Sequence, residues 1–319
     1  MMDCTDRHDR YFLRLISKNV MLYSEMIATK SAIHGDRKKI LGFRHEEKPV
    51  ALQVGGSDKQ DLSEVSKMAE DFGYDEININ LGCPSKKVQK NSFGACLMKE
   101  PDLVAECISS MIDSCKIPVT AKTRIGFDDI EDFEYLNNFI NKIKSTGCKT
   151  IILHARKAIL TGLTPKQNLN IPKLNYQMVY QIKKENPDLE IIINGGITKV
   201  SEISDHLEKC DGVMIGRAIY QNPYFLTEIE RHIYNNNEIP TREAIAKKLL
   251  EYLEEEVKLG TKVNHIMRHT VGLYHGQVGS KEWKRYLSDN MMAKDSDFMK
   301  AKHIMTIVQN NEKANQSNP

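Results

Sequence analysis

A cysteine in the first third of the chain, Cys83, lies where several sequence signals point to chemistry. The segment Glu76–Asn80 alternates polar and apolar residues as a β-strand does, and Gly82 and Pro84 end that strand on either side of the thiol. A buried, inert side chain is the alternative for any isolated cysteine. In a chain of repeated strand–helix units, however, barrel enzymes hold their reactive groups at the carboxyl ends of the strands. We therefore predict that Cys83 is catalytic.

Two roles are open to a thiol at this position. A nucleophile requires a lowered pKa, which a nearby cation or a helix N-terminus supplies. A proton donor requires the protonated thiol, which an apolar and weakly polarised loop preserves. The residues around Cys83 do not decide between these roles.

Polar side chains also end other strand-like segments, and three of them suggest a cofactor. Gln53, Lys122 and His154 would face the centre of one site if their strands are parallel neighbours. Together they could hydrogen-bond a planar, electron-accepting ring. Flavin mononucleotide (FMN) suits the set, because a cation can stabilise the negative charge of its reduced ring. A satisfied structural residue is the alternative for His154 alone, and no metal site is expected, since no second ligand stands at a suitable spacing around it.

Glycines at the last two strand ends predict a phosphate site. One strand ends in Asn194, Gly195 and Gly196, and the next ends in Gly216 and Arg217. The loops after the last two strands of a barrel commonly bind phosphate, where glycines let backbone N–H groups approach the oxygens and an arginine adds bidentate charge. The alternative is that these glycines only form tight turns.

The elements that must position these residues alternate along the first two thirds of the chain. Amphipathic segments such as Asp61–Phe72 predict helices, and they separate short β-branched runs that predict strands buried on both faces. The seven runs are Val20–Met26, Val50–Gly56, Glu76–Cys83, Val119–Gly126, Thr150–Arg156, Leu189–Gly196 and Asp211–Arg217. This alternation predicts parallel strands with right-handed crossovers.

The distribution of polar strand ends favours a TIM (β/α)8 barrel over an open doubly wound sheet. No strand is followed by a G-x-G-x-x-G turn, and functional residues end nearly every strand rather than one crevice. A barrel needs an eighth strand, and His8–Ser17 reads as the helix that follows it. We therefore expect the first strand to be truncated, with the chain as given starting after it.

The strand pattern ends before a polar linker at residues 235–240, and the residues beyond it predict a small C-terminal helical bundle. Its helices are expected from Thr241 onward and over Lys262–Tyr274, Ser280–Met291 and Phe298–Asn310. We therefore divide the chain into a catalytic barrel domain, residues 1–234, and a helical domain, residues 241–319. Within the latter, Lys281–Tyr286 interleaves three cations with two aromatic residues. This pattern fits either a solvated helix face with Trp283 in the core or a nucleic-acid contact.

The composition excludes several classes of protein. The chain of 319 residues is 40% hydrophobic and 28% charged, as ordinary globular proteins are. Its net charge is only +2, so any nucleic-acid contact must come from local basic patches. We expect no membrane span and no secretory signal, since no apolar run is long enough. Seven scattered cysteines without a Cys-x-x-Cys pair argue against disulfides and metal clusters and predict a cytoplasmic protein.

With these residues in view, nearly the whole chain resembles the tRNA-dihydrouridine synthase family, and specifically its A-type branch. The resemblance implies an enzyme that reduces uridine to 5,6-dihydrouridine in the D-loop of tRNA, at positions 20 and 20a, with FMN and NADPH and as a monomer. The motifs that carry it include Thr5-Asp-Arg-His8, Leu52-Gln53-Val-Gly55-Gly56-Ser57, Leu81-Gly-Cys-Pro-Ser85, Phe93-Gly-Ala-Cys-Leu-Met98, Lys122-Thr-Arg-Ile-Gly126, His154-Ala-Arg-Lys-Ala158, Asn194-Gly-Gly-Ile197 and Gly212-Val-Met-Ile-Gly-Arg217.

Residue by residue, the resemblance makes Cys83 the proton donor to C5 of the uracil, while N5 of reduced FMN gives hydride to C6. Contacts with FMN are implied for Met1, Met2, Gln53, Lys122, His154, Asn194, Gly195, Gly196, Gly216 and Arg217. Contacts with tRNA are implied for Asn80, Lys166, Gln167, Lys281 and Lys284.

The chain departs from the family pattern at a few positions. The family's first strand ends in Ala-Pro-Met, and this chain begins at the position of that Met. Leu169 stands where the branch often carries arginine. Lys281 and Lys284 stand where it favours arginines, which keeps the charge and loses the bidentate geometry.

Two other functions remain open from the sequence. One is an FMN-dependent barrel oxidoreductase that acts on a small molecule, as a dihydroorotate dehydrogenase does. It would not need the helical domain, the basic Lys281–Arg285 segment or Lys86 and Lys87. The other is a tRNA-binding protein without catalytic activity, which would hold no flavin.

Overall fold

Seven parallel strands pair side by side in chain order in the computed structural model, which describes residues 1–291, 301 and 305. The sheet is curled into a half-barrel, as expected for a TIM-like barrel. The strands are β1 (Leu22–Ala28), β2 (Val50–Gly55), β3 (Glu76–Asn80), β4 (Val119–Arg124), β5 (Thr150–His154), β6 (Glu190–Asn194) and β7 (Gly212–Met214). Each lies within or next to one of the seven runs predicted from sequence, with ends that differ by a few residues.

Helices precede the first strand, separate the strands and follow the last one. Over the described residues they are α1 (Arg7–Ile16), α2 (Thr29–His34), α3 (Arg37–Leu41), α4 (Lys59–Phe72), α5 (Lys86–Lys90), α6 (Pro101–Ile112), α7 (Phe133–Lys144), α8 (Tyr176–Glu185), α9 (Val200–Leu207), α10 (Arg217–Gln221), α11 (Phe225–His232), α12 (Arg242–Lys258), α13 (Val263–Met267) and α14 (Ser280–Tyr286). No helix among the described residues is long and apolar enough to cross a membrane.

Local sequence explains where such a helix begins and ends. At the start of α4, the Asp58 carboxylate accepts hydrogen bonds from the backbone N–H groups of Gln60 and Asp61, so the helix begins two residues earlier than its apolar pattern suggests. It ends at Gly73, which has a φ of 85° that a side chain would strain. Its apolar face is fully buried at Leu62 and Val65.

The chain divides into two compact units, which we call the barrel unit and the helical unit. The barrel unit comprises Met1–Met2, Met21–Phe43 and Lys48–Ile215, and the helical unit comprises Asp3–Val20, Arg44–Glu47 and Gly216–Pro319. These bounds differ from the linker at residues 235–240 that the sequence suggests. The division into an FMN domain and a tRNA domain by function stays a prediction.

The core of the barrel unit consists largely of strand residues buried on both faces. Val50, Ala51 and Leu52 of β2 are completely buried, and so are Ile151 and Ile152 of β5. Parallel strands covered by helices must be apolar on both faces, which is why they read as continuous apolar runs. Polar residues on the strands are therefore conspicuous, and those at or near the carboxyl ends include Gln53, Asn80, Lys122, His154 and Asn194.

In the helical unit, α1 packs against α12. The ring of Tyr11 stacks on that of Tyr252 at 3.9 Å between centroids, and Nδ1 of His8 lies 2.6 Å from the Tyr252 hydroxyl. Arg7 pairs with the buried Glu256 at 2.6 Å. The segment that the sequence assigned to the start of the barrel domain thus belongs to the same compact unit as residues 242–258.

The later predicted helices are shorter than their sequence patterns suggest. Lys262–Tyr274 contains α13 followed by a 3-10 turn at Arg268–Gly272, and Ser280–Met291 contains α14 followed by a π turn. Of the predicted helix Phe298–Asn310, only Ala301 and Met305 are among the described residues, and both are helical and buried. The rest of that prediction lies outside the described residues.

Candidate active site

The parallel register brings the polar strand ends together at one edge of the sheet. Asn80 of β3 lies opposite Lys122 of β4. His154 of β5 lies between Arg124 of β4 and Asn194 of β6. Because side chains at the carboxyl ends of parallel strands share one edge, residues far apart in sequence form a single polar cluster there.

Hydrogen bonds to its backbone groups hold the loop that carries Cys83 in place. Oδ1 of Asn80 accepts hydrogen bonds from the N–H groups of Gly82 at 3.1 Å and Cys83 at 2.9 Å. The Cys83 carbonyl in turn accepts a hydrogen bond from Ala95 at 3.0 Å. Gly94 has a φ of 76°, and a Cβ there would lie 2.6 Å from that carbonyl oxygen. The Gly-Ala pair after Phe93 is therefore required for the close approach that fixes the cysteine loop.

The surroundings of the Cys83 thiol favour its protonated form. Burial raises the pKa of Cys83, while the Ser85 backbone N–H and the charges of Arg124 and Lys122 lower it by less. A nucleophile would need the opposite shift, since the thiolate is the attacking species. Of the two roles left open by the sequence, the geometry therefore favours proton donation.

Three side-chain amides form a continuous hydrogen-bonded group beside this loop. Nδ2 of Asn80 donates to Oε1 of Gln53 at 2.9 Å, and Nε2 of Gln53 donates to Oδ1 of Asn78 at 2.9 Å. Gln53 is 9% exposed and Asn78 is completely buried. Each of the two polar ends of Gln53 retains one further hydrogen-bonding position, a hydrogen on Nε2 and a lone pair on Oε1.

Lys122 and Asn194 form the cationic part of the cluster. Nζ of Lys122 donates to Oδ1 of Asn194 at 3.0 Å, and Nδ2 of Asn194 donates to the Met214 carbonyl at 2.8 Å. Burial lowers the pKa of Lys122 to about 8, with a smaller contribution from the charge of Arg124. The ammonium therefore remains mostly protonated at neutral pH, with two hydrogens beyond the one that Asn194 accepts.

His154 lies against a glycine turn. Gly195 has a φ of 125°, and a Cβ there would lie 2.8 Å from Cδ2 of the His154 ring. Gly196 has a φ of 73°, and a Cβ there would lie 2.6 Å from a methyl carbon of Leu174. The Tyr176 hydroxyl donates to the Gly195 carbonyl at 2.6 Å, which holds the turn in place. Because the left-handed backbone and the close neighbours both exclude a Cβ, only glycine fits at these two positions of the turn.

These residues fit a flavin nucleotide. Lys122 and Gln53 retain donors for the acceptor atoms of a planar ring, and the glycine turn at Gly195 and Gly196 suits a phosphate. Gly216 and Arg217 belong to the helical unit, where Gly216 precedes α10. Met1 and Met2 are 37% and 56% exposed. For these four residues, as for the other residues implied in FMN binding, contact with a cofactor stays a prediction.

Four of the five residues implied in tRNA binding are exposed, two in each unit, whereas Asn80 is partly buried. Lys166 and Gln167 lie on the 157–171 loop between β5 and α8, and Lys281 and Lys284 lie on α14. Gln167 uses its own Oε1 to accept hydrogen bonds from the N–H and hydroxyl of Thr164. Leu169 of the same loop is partly buried.

Trp283 is not available for stacking on a base. It is completely buried, and its Nε1 donates to the Thr270 carbonyl at 2.9 Å. The structure therefore places Trp283 in the core and leaves Lys281 and Lys284 exposed on α14, and a nucleic-acid contact by those cations stays a prediction.

Sequence reasoning missed Arg124 as a residue of the site. Its buried guanidinium donates from Nε to the Gly82 carbonyl at 2.8 Å and from Nη1 to the carbonyls of Lys157 and Asn168 at 3.0 and 3.3 Å. It thereby ties the cysteine loop to the 157–171 loop, which the completely buried Asn168 also organises from within. The only available signal was an arginine at a strand end two residues after Lys122.

Comparison with known proteins is consistent with this arrangement. The dihydrouridine synthase (Dus) family matches residues 1–311. A relative named tRNA-dihydrouridine(20/20a) synthase from Synechocystis sp. is 50% identical over 293 residues, which cover 92% of this chain and 88% of the relative. Relatives of the same name from Shewanella oneidensis and Escherichia coli K12 are 48% and 47% identical and cover 91% and 97% of this chain, and 87% and 90% of their own lengths.

Proposed function

Because the chain belongs to the dihydrouridine synthase family, we propose that it reduces uridine to 5,6-dihydrouridine in the D-loop of tRNA, at positions 20 and 20a. The family match spans both compact units, and relatives that share about half of the sequence carry this activity in their names. The observation that carries the proposal is the position of Cys83. Its thiol is kept protonated at the carboxyl end of β3, beside the cations Lys122 and Arg124.

The proposed cofactor is FMN, reduced by NADPH. When bound, it supplies hydride to C6 of the uracil. Gln53, Lys122 and His154 would contact its ring, while Asn194, Gly195, Gly196, Gly216 and Arg217 would hold its phosphate end, with Met1 and Met2 contributing at the chain start. The family is flavin-dependent, and the donors and glycine turn of this chain support the same cofactor.

Cys83 would provide the proton that completes the reduction. The bond that forms is C5–H of the uracil, and the bond that breaks is the thiol S–H. Since burial raises the pKa of Cys83, the thiol still carries its proton at neutral pH, and solvent returns the proton after each turnover. The charges of Lys122 and Arg124 favour the transient thiolate, so the proton can leave when the pyrimidine needs it.

The target base lies within a folded tRNA, so it must leave its stack to reach the thiol. Lys166, Gln167, Lys281 and Lys284 are proposed to hold the tRNA, and Asn80 the target nucleotide, mostly through phosphates that set orientation without reading sequence. We assign tRNA binding mainly to a helical bundle at residues 241–319 and the chemistry to residues 1–234. We also propose that the protein is a cytoplasmic monomer, as the scattered cysteines and the family resemblance predict.

The test is the conversion of unmodified tRNA by purified protein supplied with FMN and NADPH, with dihydrouridine mapped by mass spectrometry. Cys83→Ala should retain flavin and tRNA binding and lose dihydrouridine formation by roughly 100-fold or more, the usual contribution of a positioned acid. Cys96→Ala is the matched control, since that thiol is hydrogen-bonded to nearby backbone groups, including the Phe93 carbonyl at 3.1 Å.

Three outcomes would contradict the proposal. Undiminished turnover in Cys83→Ala would exclude the acid role. A colourless protein that still binds tRNA would support the binding protein without catalysis. Flavin reduction that is linked to a small dihydropyrimidine, and is indifferent to tRNA, would support the small-molecule oxidoreductase.

A further inference from the structure

A buried carboxyl group lies at the start of β3, at the opposite end of the strand from the cysteine loop. Oε1 of Glu76 accepts hydrogen bonds from the hydroxyls of Tyr23 at 2.8 Å and Thr120 at 2.5 Å. Glu76 is 8% exposed and Thr120 is 2% exposed. Burying a carboxyl group is costly, so its retention inside a barrel calls for an explanation.

Hydrogen bonds connect this carboxyl group to the amide group beside Cys83. Oγ1 of Thr120 donates its single hydrogen to Glu76, so it can only accept from Nδ2 of Asn78, at 2.8 Å. Asn78 must then present its Oδ1 to Nε2 of Gln53, and Gln53 must present its Oε1 to Nδ2 of Asn80. We call Glu76, Thr120, Asn78, Gln53 and Asn80 the orienting network.

The other end of the orienting network reaches the same arrangement independently. The backbone N–H groups of Gly82 and Cys83 can only donate, so they require Oδ1 of Asn80 as their acceptor. This leaves Nδ2 of Asn80 for Gln53, which agrees with the direction imposed by Glu76. An acceptor at one end and two donors at the other therefore select a single orientation for all three amides. Rotating any one of them by 180° would place two donors or two acceptors face to face.

We propose that Glu76, Thr120 and Asn78 are positioning residues that fix the Cys83 loop and the Gln53 amide through this network. The role in catalysis rests on the proposed function, whereas the role in holding the loop does not. Asn78 is completely buried and touches the site only through Gln53, so water cannot replace its partners. A displacement of the reacting group by 1 Å can cost roughly 100-fold in rate, which is why remote hydrogen bonds can matter to the chemistry.

Thr120→Val tests the proposal, because valine has nearly the shape of threonine and lacks the hydroxyl. It removes the acceptor of Asn78 and one donor to Glu76. Thr120→Ser restores the hydroxyl and should restore the wild-type behaviour. Thr150→Val is the matched control, because its hydroxyl also donates to a carboxylate, Glu190, at 2.6 Å, on a strand that carries no member of the network.

Two measurements on each variant separate loop positioning from catalysis. Hydrogen exchange in the peptide spanning Leu81–Ser85 should be about fivefold faster in Thr120→Val, the loss expected for one hydrogen bond. The kcat for dihydrouridine formation should fall roughly tenfold or more, while the KM for tRNA stays unchanged. Thr150→Val should change neither. If Thr120→Val does not fold, Thr120→Ala removes the hydroxyl without adding a methyl group.

The outcomes distinguish a failure of the orienting network from a failure of the proposed function. Faster exchange that Thr120→Ser reverses supports the orienting network even if the wild-type protein forms no dihydrouridine, a result that would overturn only the proposed function. Wild-type exchange at residues 81–85 in a folded Thr120→Val or Thr120→Ala protein would overturn the network. So would a loss of rate that the Thr150→Val control reproduces.

Discussion

The buried guanidinium of Arg124 gives the sharpest prediction about how the site is assembled. Arg124→Lys keeps the positive charge, but an ammonium group cannot reproduce the planar fork that reaches the carbonyls of Gly82, Lys157 and Asn168. Burial lowers the pKa of Arg124 to about 10, so the guanidinium is charged at neutral pH. Its hydrogen bonds to the three carbonyls are therefore charge-assisted. The substitution therefore isolates geometry from charge.

The expected loss of stability in Arg124→Lys follows from the number of hydrogen bonds that the substitution removes. A lysine can retain one of the three carbonyl contacts, and each of the two lost charge-assisted bonds contributes about 1.5 to 3 kcal/mol, so we expect a loss of about 3 to 6 kcal/mol in the free energy of unfolding. Because Arg124 is 3% exposed, water cannot replace the hydrogen bonds that the carbonyl groups lose. Most of the loss should appear as loosening of the 157–171 loop and of the Gly82 peptide, since the guanidinium joins them.

Urea unfolding with linear extrapolation measures the total loss, and limited proteolysis of the 157–171 loop measures its local part. Arg37→Lys is the matched control, because its contact with Glu64 is a half-exposed ion pair at 3.4 Å that should contribute little. Dihydrouridine formation should also fall in Arg124→Lys, with flavin binding less affected. An Arg124→Lys protein with wild-type stability and an equally resistant loop would refute this reasoning.

Three further predictions concern the cofactor, the tRNA and the thiol. Gly195→Ala should abolish flavin binding, measured by absorbance of the purified protein, whereas Gly147→Ala, which strains a φ of 92° without meeting any neighbour, should retain it. Lys284→Glu should weaken tRNA binding in filter assays most strongly at low salt and leave flavin reduction by NADPH intact, and Lys247→Glu should have a smaller effect. Alkylation of Cys83, followed by peptide mass spectrometry, should be slower at neutral pH than that of a free thiol, and its rate should level off only at a higher pH, because burial raises the pKa of Cys83. Alkylation at pH 7 as fast as that of a free thiol would contradict the acid role.

Strand and helix positions could be predicted well from the chain itself, because the signals are local. Alternation and β-branching mark Glu76–Asn80, and the glycine and proline that follow mark its end. The start of α4 was misplaced by two residues because capping by Asp58 is not part of the apolar period. The placement of polar residues at strand ends was sufficient to nominate Gln53, Lys122 and His154 as one set.

Partner choice within the site could not be predicted, because it depends on the register of strands that are distant in sequence. Asn78 meets Thr120, and Arg124 meets Gly82, only because β3 and β4 lie side by side in one particular register. No local sequence pattern predicts that Oδ1 of Asn80 accepts hydrogen bonds from the backbone of the cysteine loop.

The sequence alone therefore determined which elements form, in what order, and which side chains end the strands. Tertiary structure decided what those side chains do. Whether Cys83 is an acid or a nucleophile depends on its pKa, and that pKa depends on how much protein surrounds the thiol and where Lys122 and Arg124 fall. Likewise, whether Trp283 is buried or available for stacking depends on whether its helix directs the indole toward Thr270 or toward solvent. Burial and electrostatics are properties of neighbours in space, and the order of residues along a chain does not specify them directly.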